Sequence, residues 1–245
     1  MTLILTDVGD EDRQASRIGS GGAAAAGLEH VGATSPRKGG SSSFYRNSGK
    51  RLFDVVAATA LLVMVAPLLL LLFGLVALDG GRPVFAHRRV GQRGRAFPCL
   101  KIRSMQHGAE AALPEILARD PEAAKEWAES HKLTNDPRVT TIGRFLRKSS
   151  LDELPQLVNV LRGEMSVVGP RPITFDELQR YGSAAGAYLA LKPGLTGPWQ
   201  VEGRNDLTYA ERVALDTTYG QSMGLVRDLT IILKTGLSVL KLTGK

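Results

Sequence analysis

The chain has 245 residues, 43% of them apolar, and a formal net charge of +7, enough for one sizeable domain. Its single cysteine, Cys99, excludes an internal disulfide and a thiolate zinc site. The four histidines show no metal-ligand spacing, and a reducing, cytoplasmic setting fits.

The first residues, Met1 to Asp7, lack the basic n-region and the long apolar stretch of a signal peptide. Between Gly9 and Gly49 the chain is rich in Gly, Ala and Ser, which predicts a disordered tail over residues 1–49 with no core of its own. Acidic and basic side chains balance there, so the positive excess belongs to residues 50–245.

Residues 55–78 form an uncharged apolar run with Pro67 near its centre. As one straight helix it reaches about 36 Å, enough to cross a hydrocarbon core of about 30 Å. Pro67 opposes that reading. A proline in a helix interior costs about 3 kcal/mol, and this one divides the run into halves of roughly half a bilayer each. The flanks bear on it as well. Arg46, Lys50 and Arg51 precede the run, while Arg82, Arg88, Arg89, Arg93 and Arg95 follow it. Basic flanks stay on the cytoplasmic side, and a helix that dips in and returns keeps both groups there. The residues alone leave a spanning helix and a re-entrant one open.

Residues 83–90 and 95–102 read as two strands around Gly91-Gln92-Arg93-Gly94, a hairpin loop. The strip 82–103 holds lysines and arginines and no acidic residue, which suits anionic headgroups or phosphate ligands. Helices are predicted over 109–132, interrupted at Asp120-Pro121, and over 141–148, 150–161, 174–181 and 207–219. A last helix over 226–242 puts Leu229, Ile232, Leu233 and Leu237 on one face. Core packing is the usual fate of such a stripe, with a headgroup position as the alternative. Asp216 reads as an ordinary solvated helix residue.

The densest block of chemistry is Arg144-Phe-Leu-Arg147-Lys148-Ser-Ser150-Leu-Asp152-Glu153-Leu-Pro155. Ser150 to Glu153 matches a capping box, which would make both carboxylates structural. Alternatively the helix begins near Pro155 and leaves Asp152 and Glu153 at its positive end, where anions are favoured. An aspartate of ordinary pKa, about 3.9, is ionised at neutral pH, which suits a nucleophile or a magnesium ligand. Arginines, a carboxylate pair and a membrane segment together point to phosphoryl chemistry on a lipid-linked phosphate. Downstream, Gly169-Pro-Arg171-Pro172 forms a rigid turn presenting one arginine, and 192–205 is rich in Gly and Pro.

From Lys50 to about Leu242 these motifs resemble the bacterial sugar transferases known as monotopic phosphoglycosyl transferases, especially the exopolysaccharide-initiating undecaprenyl-phosphate sugar phosphotransferases. The resemblance is carried by Lys50-Arg51-Leu-Phe-Asp54, Lys101-Ile-Arg-Ser-Met105 and Asp136-Pro-Arg138. It continues through Gly143 to Asn159, Gly169 to Pro172, Lys192 to Gly197, Trp199-Gln-Val201 and Gly203-Arg-Asn205. It implies an α+β, helix-dominated fold: a re-entrant membrane helix-break-helix over 50–79, broken at Pro67, and a membrane-associated catalytic domain over 80–245 with a small β-hairpin. It also implies Asp152 as nucleophile, Glu153 as its partner, and Mg²⁺ held by Asp152, Glu153 and Asp228. Arg171, Arg147 and Arg204 would contact the donor.

The implied reaction moves a sugar 1-phosphate from a UDP-sugar to undecaprenyl phosphate and releases UMP. It would take place at the cytoplasmic face of a bacterial inner membrane, among membrane lipids, without nucleic acid and ahead of downstream glycosyltransferases. Galactose or glucose is the expected sugar. A glycosyltransferase releasing UDP and a non-enzymatic scaffold for anionic lipid are the alternatives. Three departures are visible: Ala66 precedes Pro67 where serine is common, His87 replaces glutamine, and Pro198 replaces a bulkier apolar residue.

Overall fold

Lys50–Ala77 is one helical run of 28 residues, α1, entered from a short π-helical turn at Tyr45–Gly49. The computed structural model describes residues 44–130, 133–203 and 207–240; the expected N-terminal tail lies outside them up to residue 43. The helix continues through Pro67, where a break between two helices was expected. A proline removes one hydrogen bond and need not end a helix whose other turns are held by packing.

That packing is confined to one stripe. Asp54, Ala58, Leu69, Leu72 and Val76 are buried, with Leu61, Leu62 and Val65 partly buried between them. The spacing of three and four residues runs unbroken from end to end, as one face of a single helix requires. Away from the stripe Leu52, Val56, Val63, Met64, Leu70 and Leu71 are exposed.

Both ends of α1 are tied to the same body. At the start, Arg51 donates to the carbonyls of Val160 and Leu161 at 2.6 and 2.8 Å. Asp54 accepts from Ser166 Oγ at 2.9 Å and from the Val167 amide at 3.0 Å. At the far end, Arg103 donates to the Val76 carbonyl at 2.8 Å and pairs with Asp79.

Next comes the antiparallel hairpin β1 (Val84–Val90) and β2 (Ala96–Ile102), as the sequence predicted. Arg93 (φ 59°) and Gly94 (φ 75°) take left-handed conformations in its loop. The free edge of β2 is covered by a side chain: buried Asn159 accepts from the Leu100 amide and donates to the Pro98 carbonyl. This meets backbone groups that would otherwise be unpaired. Helices α2 (Ala109–Arg119) and α3 (Pro121–Ser130) follow, divided at Asp120-Pro121 as expected. Then come α4 (Thr141–Ser149), α5 (Gln156–Arg162), β3 (Ser166–Val168), α6 (Phe175–Gln179), α7 (Ala185–Leu189), β4 (Gly194–Thr196), α8 (Pro198–Glu202), α9 (Tyr209–Ser222) and α10 (Leu225–Leu240).

The parallel pair β3–β4 and helix α8 were not foreseen. Three-residue strands lack a readable alternation, and Gly197-Pro198 had the look of a loop. Its proline is the first residue of α8, where the missing N–H costs nothing. In α10 the result is divided. Ile231 and Asp228 face the core, while Val226, Leu229, Leu233 and Leu237 are exposed, against the expectation of core packing.

Asp228 is completely buried and accepts from Tyr45 and Tyr219 at 2.7 Å each and from Lys50 at 2.8 Å. Asp216 is also buried, contrary to its expected solvated place, with Tyr181 donating to one oxygen at 2.8 Å. The other oxygen has no partner among the described residues. Burial pushes its carboxyl up to about 7, against the lowering effect of the Tyr181 bond. The native state therefore keeps a proton that the unfolded chain releases, and Asp216 costs stability as pH rises from 3.8 to about 7. Asp216→Asn is expected to stabilise the fold at about pH 8 by on the order of 2 kcal/mol, with a higher melting temperature, and to flatten the dependence on pH below neutrality. Thermal melts across that range read it; a lower melting point at alkaline pH would show that the charge is compensated.

Candidate active site

Helix α4 starts at Thr140, whose side chain accepts from the Gly143 amide at 2.9 Å. Gly143 lies against the backbone after β2: a Cβ there would come within 1.8 Å of the Ser104 carbonyl oxygen. The helix ends at Ser150 in a left-handed conformation (φ 58°), without a side-chain cap. The capping box at Ser150–Glu153 is therefore not formed. Asp152 and Glu153 lie in a 3₁₀ turn, Leu151–Glu153, and the next helix begins at Gln156 behind Pro155. The backbone does not employ these two carboxylates as caps: Glu153 lines the cleft, and Asp152 is buried beside it.

The cleft lies between that turn, the inner face of the hairpin and the turn after β3. It is lined by Arg89, Cys99, Lys101, Glu153, Gln156, Arg171, Pro172 and Leu195. Lys101 Nζ is 2.9 Å from Glu153 Oε1 and 3.8 Å from Asp152 Oδ2. Arg171 lies 3.3 Å from the same Glu153 oxygen. Its turn is placed by Gly169, which packs so closely against the strand entering β4 that a Cβ would meet the Lys192 carbonyl oxygen at 2.4 Å. The Arg171 guanidinium also lies over the Trp199 ring, 5.9 Å from its centre, and Arg212 stacks on that ring at 4.6 Å.

The two carboxylates are tuned in opposite directions. Burial alone would raise Glu153, but Arg171 and Lys101 overcome it and hold its carboxyl down to about 2. Asp152 is raised: burial dominates and the Glu153 charge adds to it, against Lys101, Arg147 and Arg171. The expectation of an untuned aspartate is thereby corrected. A buried carboxylate with few hydrogen bonds is the more basic and more nucleophilic of such a pair.

The structure brings Asp152, Glu153 and Arg171 together, with Arg147 at their edge, donating to Ser104 Oγ at 2.8 Å. It does not bring Asp228 to them: that carboxylate is engaged by Tyr45, Tyr219 and Lys50. Arg204 lies outside the described residues. Pro67 lies on the exposed side of α1. Among the described residues no group of three or more His, Cys, Asp or Glu side chains is placed to hold a metal ion by itself.

Sequence reasoning missed Lys101 and Arg89 as site residues. The signal was present in β2, where Phe97, Cys99 and Lys101 share one face and the first two are buried. A lysine in the inward phase of a strand needs a buried partner. Lys101→Met is expected to lower stability by about 2 kcal/mol at neutral pH, because Glu153 is left buried with Arg171 alone. Adding Glu153→Gln should recover most of that loss. Urea melts of both single variants and the double variant read the coupling, and additive losses would show that the pair does not interact.

The family model described as bacterial sugar transferase matches residues 45–242. The chain is 54% identical over 187 residues to "Exopolysaccharide production protein ExoY" of Rhizobium meliloti (strain 1021), covering 76% of this chain and 83% of that protein. It is 50% identical over 195 residues to "Undecaprenyl-phosphate galactose phosphotransferase" of Salmonella typhimurium (strain LT2), covering 80% of this chain but only 41% of that longer protein. It is 41% identical over 200 residues to "UDP-glucose:undecaprenyl-phosphate glucose-1-phosphate transferase" of Caulobacter vibrioides, covering 78% of this chain and 69% of that protein. With the family model reaching from the turn before α1 to just beyond the end of α10, the chain belongs to the bacterial sugar transferase family.

Proposed function

We propose that the protein transfers a sugar 1-phosphate from a UDP-sugar to undecaprenyl phosphate, at the cytoplasmic face of a bacterial inner membrane. The observation that carries this reading is the buried Asp152-Glu153 pair under Lys101 and Arg171. It offers one carboxylate kept ionised by two cations and a second made more basic by burial. The Salmonella and Caulobacter relatives are named for transfer to undecaprenyl phosphate, and the ExoY relative for exopolysaccharide production.

In this reading an Asp152 carboxylate oxygen attacks the β-phosphorus of the donor. The bond from that phosphorus to the bridging oxygen breaks, and UMP leaves with the electron pair. A phosphate oxygen of undecaprenyl phosphate then attacks the same phosphorus and returns Asp152 as a free carboxylate. Splitting the transfer this way is covalent catalysis, and both anionic partners use one nucleophile in turn. Arg171 and Lys101 orient the diphosphate, with Arg89 at the cleft wall; guanidinium groups suit phosphate through paired hydrogen bonds. Glu153 holds both cations where the developing charge needs them.

Mg²⁺ fits this donor set as an ion bound by one or two carboxylates, Asp152 with or without Glu153, and completed by substrate phosphate oxygens. Bound there, it would neutralise diphosphate charge and ease departure of UMP. The Asp228 carboxylate stays with its tyrosines and Lys50 and serves the fold.

The exposed apolar side chains of α1 support a helix embedded in the membrane from one side, unbroken at Pro67, with both of its ends on the side of the domain. Leaving such side chains in water costs about 1.5–3 kcal/mol each relative to burial. A polar domain attached at both Arg51 and Val76 has no route through hydrocarbon, so both helix ends belong on its side. The exposed stripe Val226, Leu229, Leu233 and Leu237 of α10, with Arg227 and Lys234 nearby, suits the headgroup region of the same surface.

Two experiments test this reading. Vesicles containing undecaprenyl phosphate, supplied with a panel of UDP-sugars, should release UMP with a galactose or glucose donor. Asp152→Asn should reduce that release by about a thousandfold or more, as loss of a nucleophile does. Labelled donor without acceptor should leave a phosphosugar on Asp152; UDP release instead would mean a glycosyltransferase. For topology, single cysteines at Ser48→Cys and Arg82→Cys should react with an impermeant reagent from the same side of sealed vesicles. The buried Cys99 thiol, pushed up to about 11 mainly by burial, should stay silent. Labelling from opposite sides would require a spanning helix.

A further inference from the structure

A second cationic site lies apart from the catalytic cleft, where α1 begins. Arg51 donates to the last carbonyls of α5, Val160 and Leu161, and the chain then turns at Gly163 with φ +82°. A Cβ at Gly163 would lie 3.5 Å from an Arg51 guanidinium nitrogen and 3.6 Å from Lys192 Nζ. The two cations therefore both flank the Gly163 turn and are no more than about 7 Å apart. An anion accepting at about 2.8 Å from each nitrogen spans such a gap.

The neighbouring charges do not balance. Lys50 is taken by Asp228 at 2.8 Å and reaches Asp54 at 3.5 Å. Asp54 is further engaged by Ser166 and the Val167 amide. Lys192 has no hydrogen-bond or ion-pair partner among the described residues, although it is partly buried. Its ammonium is held below the usual lysine range, first by burial and then by repulsion from Arg51 and Lys50, against attraction from Asp54. A partly buried cation without a counter-charge is costly, and an anion supplied from outside removes that cost.

We propose that Lys192 and Arg51 form a binding site for a phosphate ester, occupied by the headgroup of an anionic membrane lipid. The position favours the lipid source. Leu52 and Val56, on the first turns of α1, are 68% and 60% exposed, and Phe44 just before them is 72% exposed. Acyl chains lying along those residues put a headgroup phosphate level with Arg51 and Lys192. The same chemistry accepts free phosphate, and the choice of lipid rests on the membrane reading given above. The anion site itself does not depend on the transfer reaction.

Lys192→Met is the clean variant, because Arg51 also holds α5 and its removal threatens the fold. The full chain, purified in a neutral detergent, is melted alone and with inorganic phosphate, short-chain phosphatidylglycerol or short-chain phosphatidylcholine. Without added anion, Lys192→Met should melt higher than the unchanged protein, since an unpaired cation has gone. Phosphatidylglycerol should raise the melting temperature of the unchanged protein by about 2 °C or more, phosphatidylcholine much less. Lys192→Met should lose at least half of that rise, and Lys192→Arg should keep it. A Lys192-dependent rise with inorganic phosphate alone would overturn the lipid assignment and leave a free-anion site. A lower melting point for Lys192→Met without anion, or an undiminished response to phosphatidylglycerol, would overturn the site. Melting does not read transfer, so this failure is distinguishable from failure of the proposed chemistry.

Discussion

The attachment of an apolar helix to a polar domain at both of its ends is the constraint on which the rest of the structure depends. Arg51 and Asp54 fix the beginning of α1 to α5 and β3, and Arg103 fixes its end to the strand exit. Charges and backbone groups make these ties, so they remain on the water side of any membrane the helix enters. Between them only a narrow stripe touches protein, and lipid is the natural solvent for the remaining side chains. The catalytic turn follows α4, whose Leu146 packs against Leu69, Leu72 and Val76 of the same helix. The positions of α1 and of the turn carrying Asp152 are thus set by one contact surface.

That arrangement gives proximity a concrete form. In the proposed reaction a polyprenyl phosphate offers its reacting group only at the headgroup plane, and a nucleophile held at that plane would replace a search through solution. The cleft adds positive charge without neutralising Asp152, the nucleophile of the proposed reaction. Lys101 and Arg171 are drawn toward Glu153, at 2.9 and 3.3 Å, while Asp152 is 3.8 Å from the nearest lysine nitrogen. The carboxylate pair therefore divides its work: Glu153 fixes the cations and Asp152 keeps its basicity. Burial is the common cause, overcome by cations at one residue and prevailing at its neighbour.

Buried carboxylates recur with different meanings across the domain. Asp54 and Asp228 are satisfied by several donors and join the start of α1 to β3, α9 and α10. Asp216 has one donor and an oxygen without a partner among the described residues, and burial pushes its carboxyl up to about 7. Asp228, expected as a metal ligand, is instead held by Tyr45, Tyr219 and Lys50. Loss of its charge would strand Lys50 and loosen the helix that sets the height of the catalytic turn.

Much of this was legible in the sequence. The apolar run, the hairpin around Gly91–Gly94, the division at Asp120-Pro121 and the Asp152-Glu153 pair are local patterns. Periodicity and turn chemistry act over a few residues, and the sequence prints those residues side by side. The capping box at Ser150 misled because the same short pattern serves two backbone conformations, and Ser150 adopts the left-handed one that ends α4. Lys101 and Arg171 reach the Asp152-Glu153 turn, and Arg89 the cleft wall, only through the register of the hairpin and the close approach of Gly169 to the segment before β4. The same holds for the unpaired Lys192 beside Arg51 and for the buried state of Asp216. Composition and local spacing determined what kinds of groups this protein possesses; only tertiary structure decided which of them meet, because burial and charge pairing are properties of residues distant along the chain.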